Sequence, residues 1–329
     1  MIGSFLIQGL TVNLHCERGL FSLLSEYFNS LCQGNICPRT EPVDLELNIC
    51  NTPCPLPFGV VKEIKGPSIT YYSRGDKLYF ISRNGSLISL DPVHREAKGY
   101  LTYDILKRPL DFISFVSEPL AEMQKYRGLY FLHASALCGN GISLLVSGPS
   151  GCGKTTTTLS LVANGFKYVS DDTLLIEKLN EGVAVYPLYK SFNIDQDIAK
   201  RFPQLFKNED KPFSKEGKIS IDISKMIPGS HITSAKPDVI VFPKITSNTK
   251  SEIRPIGQLE VYKRLLSQII LAIDKNVAKK QLNALELLVK QTKGFELLSG
   301  KDLYKNPGSI LNFLDSLKNA NENCKKNKA

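Results

Sequence analysis

Three groups of residues in this chain have the types and spacing that chemistry needs. The first is Gly148-Pro149-Ser150-Gly151-Cys152-Gly153-Lys154-Thr155, continued by Thr156, which fits the phosphate-cradling pattern G-x-x-x-x-G-K-[ST]. Glycines there let the backbone approach phosphates, and the amides of Gly151 to Thr155 converge on the positive end of a following helix. Lys154 would reach the β- and γ-phosphates, and the Thr155 hydroxyl would hold Mg²⁺. The second group is the adjacent pair Asp171-Asp172. In a phosphoryl-transfer site one such carboxylate supports the metal, here assigned to Asp172 beside Thr155, while the other accepts the proton of an attacking hydroxyl. The third is His133, a lone histidine on an apolar run, where a packed core residue is the ordinary alternative to a functional one.

Elements able to hold these groups are legible around them. Ile142–Val146 is a short apolar strand candidate, and Thr156 to Asn164 reads as a helix closed by Gly165. Leu129 to Cys138 reads as one strand joined to the next by the turn Gly139-Asn140-Gly141. Phe166–Val169 is a short strand that ends at the Asp pair. Further strands are expected at 174–177, 183–187, 218–223, 238–242 and 295–298, with helices at 195–202, across most of 257–292, and at 307–317. The segment from Phe206 to Lys218 is a charged loop containing Gly217, a candidate flap. Strands mixed with helices around the glycine-rich loop predict an α/β domain over 109–317.

Upstream, residues 1–108 predict a β-rich α+β domain. Its elements are a strand over 5–14, an amphipathic helix over 19–32, a strand over 43–49, and strands at 68–73, 77–82, 86–90 and 96–103. Asn84-Gly85 supplies a hairpin signal. A helix over 109–127 contains Pro119.

Of the 329 residues, 42% are apolar and 22% charged, as in an ordinary globular protein. The formal charge of +9 lies partly in the tail 318–329, read as a basic disordered end. No arginine-rich stripe with interleaved aromatics points to nucleic acid. No apolar run of about 20 residues points to a membrane. The first residues lack the basic start and cleavage site of a signal peptide, so a cytoplasmic setting is expected, with eight cysteines as free thiols. Cys32, Cys37, Cys50 and Cys54 depart from paired C-x₂-C spacing, and free thiols are preferred over zinc there.

Taken together, Leu132-His133-Ala134-Ser135-Ala136-Leu137, the 148–155 loop and Val169-Ser170-Asp171-Asp172 resemble the C-terminal catalytic domain of HPr kinase/phosphorylase. They resemble more closely the HPr-kinase-related proteins, which include kinases encoded beside lasso-peptide and other ribosomal-peptide clusters. The resemblance spans about 128–245. It implies a PEP-carboxykinase-like P-loop fold, Lys154 on the β- and γ-phosphates, Thr155 on Mg²⁺, one of Asp171 and Asp172 as general base, and His133 lining the phosphate pocket. It also implies a Mg-ATP-dependent kinase acting on a serine or threonine of a peptide or small protein, such as a precursor peptide, with a homo-oligomer left open.

Two departures bear on the substrate. Thr156 stands where the family has a glutamate, and its arginine-glycine-asparagine signature after the Asp pair is absent, which leaves Lys215 or Lys218 to supply a cation. Other classes stay open. A nucleotide-binding regulator would have no use for a base. An ABC-type ATPase would need an L-S-G-G-Q signature, whereas Leu298-Ser299-Gly300 continues as Lys301-Asp302.

Overall fold

The computed structural model describes residues 1–7, 10–31, 42–66, 68–188, 191–206 and 217–302. Cys32, Cys37, Lys215, most of the 206–218 loop, the 307–317 helix and the 318–329 tail lie outside the described residues. The chain is a mixed α/β protein with four sheets among the described residues. It divides into two compact units, Met1–Leu129 with Leu271–Gln281, and Tyr130–Ile270 with the chain from Leu282 onward.

The first unit carries β1 (Ile2–Ile7), β2 (Leu10–Cys16), α1 (Arg18–Leu31), β3 (Val43–Cys50), β4 (Val61–Lys65), β5 (Ile69–Arg74), β6 (Lys77–Ser82), β7 (Leu87–Asp91), β8 (Glu96–Thr102), α2 (Tyr103–Leu106) and α3 (Pro109–Tyr126). Its eight strands form one sheet in the order β1-β2-β3-β8-β7-β6-β5-β4. Strict alternation in β3 explains the layering, because Val43, Leu45 and Leu47 are buried while Asp44 and Glu46 are exposed. The buried face packs with Leu20, Leu24 and Phe28 of α1 and with Phe112, Phe115 and Val116 of α3 in one core. The expected single strand over 5–14 is instead the antiparallel pair β1–β2, with Ile7 opposite Leu10. Apolar alternation alone does not record that reversal. The strand β4 is a further difference, lying between the proline-rich link at 54–58 and the strand expected from 68, where no element is expected.

Also in this unit, the buried Lys125 donates to Glu122, and both groups hold the segment after Leu271. The Lys125 ammonium lies 3.4 Å from the Leu271 carbonyl oxygen, and the Ile273 amide donates to Glu122 at 3.2 Å.

The second unit carries β9 (Leu129–Leu132), β10 (Ala134–Gly139), β11 (Ile142–Ser147), α4 (Lys154–Ala163), β12 (Lys167–Ser170), β13 (Leu174–Lys178), β14 (Val183–Pro187), β15 (Phe192–Asp195), α5 (Gln196–Arg201), α6 (Pro203–Phe206), β16 (Lys218–Ile221), β17 (Val239–Ile245), β18 (Glu252–Ile256), α7 (Gln258–Leu266), α8 (Lys275–Gln291, shared with the first unit) and β19 (Lys293–Ser299). A six-stranded sheet in the order β12-β10-β11-β17-β19-β18 is its centre. The strands β11, β17 and β19 run parallel, and Leu144–Val146 of β11 and Val239–Phe242 of β17 are continuous buried apolar runs, as strands covered on both faces must be. The helix α4 packs on β10, β11 and β12.

Several elements of this unit differ from expectation, and β15 and β18 are strands where none is expected. The run 129–138 is two strands broken at His133, with β9 in a different sheet from β10. The helical region 257–292 is two helices, α7 and α8, separated by 267–274. Strand 218–223 stops at Ile221, and Ile223–Lys225 forms a single 3₁₀ turn capped by the Asp222 side chain. The registers of β10 bring the chemistry-bearing segments together. Ala134 lies opposite Ser147 of β11, and Ala136 opposite Ser170 of β12. His133, the loop after Ser147 and the residues after Ser170 therefore leave the sheet at one end.

Candidate active site

The loop from Gly148 to Gly153 joins β11 to α4, and its glycines are there for backbone shape. Gly148, Gly151 and Gly153 have φ of 146°, 79° and 102°, a region L side chains enter only with strain. A Cβ on Gly151 would meet nothing within 4 Å, so conformation rather than room selects glycine there. At Gly148 the Cys152 sulfur would also stand 3.0 Å from an added Cβ. Gly153 is the residue before the first turn of α4, and its carbonyl accepts the Thr157 amide at 3.0 Å. The amides of Lys154, Thr155 and Thr156 therefore face out of the helix end, where the helix dipole favours an anion.

Lys154 is buried and donates to the carbonyls of Gly148 at 2.7 Å and Pro149 at 3.1 Å. A phosphate oxygen would take over donors the loop now satisfies internally. Cys152, half-buried in the loop, has its thiol pushed up by burial, an effect that Lys154 opposes. It is chiefly a neutral thiol at neutral pH.

The two carboxylates after β12 have opposite environments. Asp171 is 1% exposed. Its Oδ2 accepts the Thr155 hydroxyl at 3.1 Å, and its backbone carbonyl accepts the Ser135 hydroxyl of β10. Its Oδ1 is buried and accepts no hydrogen bond. Burial pushes the carboxyl up to about 7; the Thr155 hydrogen bond opposes this, the Asp172 charge adds to it, and Lys154 opposes it. Asp172, by contrast, has a side chain 46% exposed, with Oδ1 3.4 Å from His133 Nδ1. Burial holds His133 below its ordinary value, Asp172 pulls the other way, and Lys154 reinforces the depression. The imidazole is therefore neutral at neutral pH. Its backbone is fixed by the break between β9 and β10: the His133 amide donates to the Gln268 carbonyl at 2.9 Å, and its carbonyl accepts the Ser147 hydroxyl at 3.1 Å.

One cavity of about 390 Å³ brings His133, Ser150, Gly151, Gly153, Lys154, Thr155, Thr156, Asp171 and Asp172 together. Gly148 and Cys152 shape the loop without lining that cavity. Its far wall was not anticipated from sequence. Asn193 and Asp195 of β15, Asp197 and Arg201 of α5, and Ile245 at the end of β17 complete it. Pairing of β15 with β16 and the Asp195 cap on α5, which accepts the Ile198 amide at 2.8 Å, place that wall. Lys215 lies outside the described residues, and among the described ones Arg201 and Lys154 are the cavity's two permanent cations. Among the described residues no cluster of three or more His, Cys, Asp or Glu is arranged to hold a metal by itself. None of the described helices is long and apolar enough to cross a membrane.

No protein-family model matches the chain. No curated protein matches it either. Among solved structures it is similar to an HPr(Ser) kinase/phosphatase from Coxiella burnetii, at 12% identity over 57% of this chain and 97% of that one, with a TM-score of 0.32. A likeness that weak says nothing about chemistry, and the functional reading of the site rests on its own residues.

Proposed function

We propose that this chain is a kinase that transfers the γ-phosphoryl group of Mg-ATP to a serine or threonine hydroxyl of a peptide or small protein. The observation that carries the reading is the division of labour between two adjacent carboxylates. Asp171 is sealed against Thr155 at the foot of the phosphate loop, while Asp172 is open to the cleft beside a neutral His133. A protein that only held a nucleotide would have use for the first arrangement and none for the second.

The residues present fit a divalent cation. Asp171 Oδ1 is a buried oxygen with no hydrogen-bond donor, next to the Thr155 hydroxyl, and Mg²⁺ prefers one or two such hard oxygens completed by phosphate and water. These contacts favour Thr155 and Asp171 as the metal side, in place of the Thr155–Asp172 pairing expected from sequence. When bound there, Mg²⁺ would supply charge neutralisation at the phosphates.

The remaining work falls to the chain. Amides of Lys154, Thr155 and Thr156 and the Lys154 ammonium hold the β- and γ-phosphates. Asp172 accepts the proton of the acceptor hydroxyl as its oxygen bonds to the γ-phosphorus and the bond to the bridging oxygen breaks, leaving ADP. His133, neutral and within 3.4 Å of Asp172, orients that carboxylate and takes up the proton afterwards. Arg201 of α5, which also lines the cavity, balances charge on the transferring group.

The test is intact-mass spectrometry of candidate peptides, including those encoded beside the gene and HPr, incubated with the protein and Mg-ATP. Phosphate gain with the native chain, lost in Asp172→Asn, supports transfer. ATP binding without any gain across the panel counts against it.

A further inference from the structure

The first unit holds a cavity of its own, of about 500 Å³, which shares no lining residue with the phosphate-loop cleft. Its base is apolar, made by the buried side chains of Ile69 on β5, Ile105 on α2 and Phe115 on α3. Around that base stand three cations, Arg83 in the turn after β6, and Lys107 and Arg108 between α2 and α3. Ser68 and Ser114 add exposed hydroxyls that make no hydrogen bond among the described residues. Two carboxylates, Asp104 and Asp111, share the rim, so three cations less two carboxylates leave a net charge of +1. The sequence neighbours Gly66, Pro67, Pro109 and Leu110 add no charge.

The three cations differ in how firmly they are held. Lys107 donates to Asp104 at 2.8 Å, and Arg108 Nη1 lies 3.8 Å from Asp111 Oδ2. All four of those side chains are more than half exposed, and ion pairs so exposed contribute little. Arg83 is exposed, and its guanidinium makes no ion pair or hydrogen bond among the described residues. An incoming anion therefore finds one unpaired guanidinium and two weakly held cations. The backbone beneath them is pinned. The Arg83 amide donates to the Ser68 carbonyl at 3.2 Å, the Arg108 amide to the Ile105 carbonyl at 3.0 Å, and the Thr102 hydroxyl to the Asn84 carbonyl at 3.3 Å. Such a site is largely formed before its ligand arrives.

We infer that this cavity binds a phosphate monoester carried on a small organic body, with the body on the apolar base and the phosphate among Arg83, Lys107 and Arg108. Charge and donor number favour phosphate over carboxylate. The start of α3, which has Pro109 in its first turn and no side-chain cap, adds about +0.5 to the +1 of the side chains. Together they offset most of the charge of about −1.5 to −2 on a phosphate monoester, whose three terminal oxygens can each meet a cation. Guanidinium forks suit that geometry, and a carboxylate would leave a cation unmatched. The volume suits either a free phosphorylated metabolite or one phosphorylated side chain with its neighbours. Nothing in this inference rests on phosphotransfer, which concerns other residues in the other unit.

The test is isothermal calorimetry on the full chain, with Mg²⁺ and a saturating non-hydrolysable ATP analogue filling the phosphate loop. The probes are O-phosphoserine and a blocked Ala-Ser-Ala tripeptide in three forms, with phosphoserine, serine or glutamate at the centre. A phosphorylated probe is expected to bind at least about tenfold more tightly than the glutamate peptide. Arg83→Ala and, separately, Ser114→Asp should each weaken phosphate binding about tenfold, leaving thermal unfolding and affinity for the analogue unchanged. Tighter binding of the phosphopeptide than of O-phosphoserine makes the occupant a phosphorylated chain, and equal or weaker binding makes it a free monoester. Failure of both phosphorylated probes to bind, equal affinity for the glutamate peptide, or a phosphate preference that survives Arg83→Ala would each overturn the inference.

Discussion

Replacing Asp171 by asparagine should make the second unit more stable at pH 8 than at pH 5, relative to the native chain, while abolishing its chemistry. Burial raises this carboxyl from an ordinary 3.8 to about 7. A raised folded-state value means that the associated stability is fully present below the unfolded value near 3.8 and is lost as pH climbs through about 7. At about 1.4 kcal/mol per unit, the native chain loses roughly 2.5 kcal/mol from this one group between pH 5 and pH 8. Asparagine has no such proton to lose. It keeps an oxygen for the Thr155 hydroxyl but turns an amide N–H₂ toward the unbonded Oδ1 position, at a pH-independent cost of about 1–3 kcal/mol.

The quantity to read is therefore the change in mutant-minus-native stability between the two pH values. Hydrogen exchange of peptides from 134–147, followed through urea titrations in EDTA, confines the readout to the unit that holds Asp171. Comparing both proteins at the same pH cancels intrinsic exchange and every other titrating group. A difference of about 2–3 kcal/mol in favour of asparagine on going from pH 5 to pH 8 is expected. A pH-independent difference, within about 0.5 kcal/mol, would refute the claim that Asp171 is a protonatable group held in a dry pocket.

Other outcomes arise from the same contacts. Lys154→Ala removes the buried ammonium at the loop and should weaken nucleotide binding about 100-fold by calorimetry. His133→Gln should cut kcat about 100-fold with nucleotide affinity unchanged. The native acid limb of kcat/KM should lie below pH 6.5, because burial depresses His133 from that value, and it should vanish in the variant. Gly153→Ala forces a side chain into φ 102° and should cost about 1–3 kcal/mol in the second unit, with nucleotide binding lost alongside. In the first unit, Lys125→Met strands the buried Glu122 carboxylate and should cost about 3–5 kcal/mol, read from exchange of peptides in 43–50.

The features legible in the sequence are those that short-range chemistry encodes. The glycine spacing of 148–153 dictates positive φ locally, and Asp171-Asp172 comes after a short strand whose end is marked by its own polarity. Alternation in 43–49 and the turn at 139–141 record their strand and hairpin for the same reason. Features hidden from the sequence depend on partners distant in the chain. The apolar run 129–138 looks uniform, yet its halves pair with different strands, and the break that results is what fixes His133. Asn193, Asp195 and Arg201 are ordinary polar residues in short elements. Only the pairing of 192–195 with 218–221 brings them to the cleft. The packing of 271–281 with 1–129 is likewise beyond any local signal.

The most direct test of the central claim is the mass of acceptor peptides after incubation with Mg-ATP and three proteins: the native chain, Asp171→Asn and Asp172→Asn. One or more phosphate additions are expected with the native chain and none at matched times with either variant. Asp172→Asn should still bind Mg-ATP with near-native affinity, while Asp171→Asn should lose the metal dependence of that binding. Phosphate transfer that survives Asp172→Asn at the native rate would contradict the assignment of the open carboxylate as base.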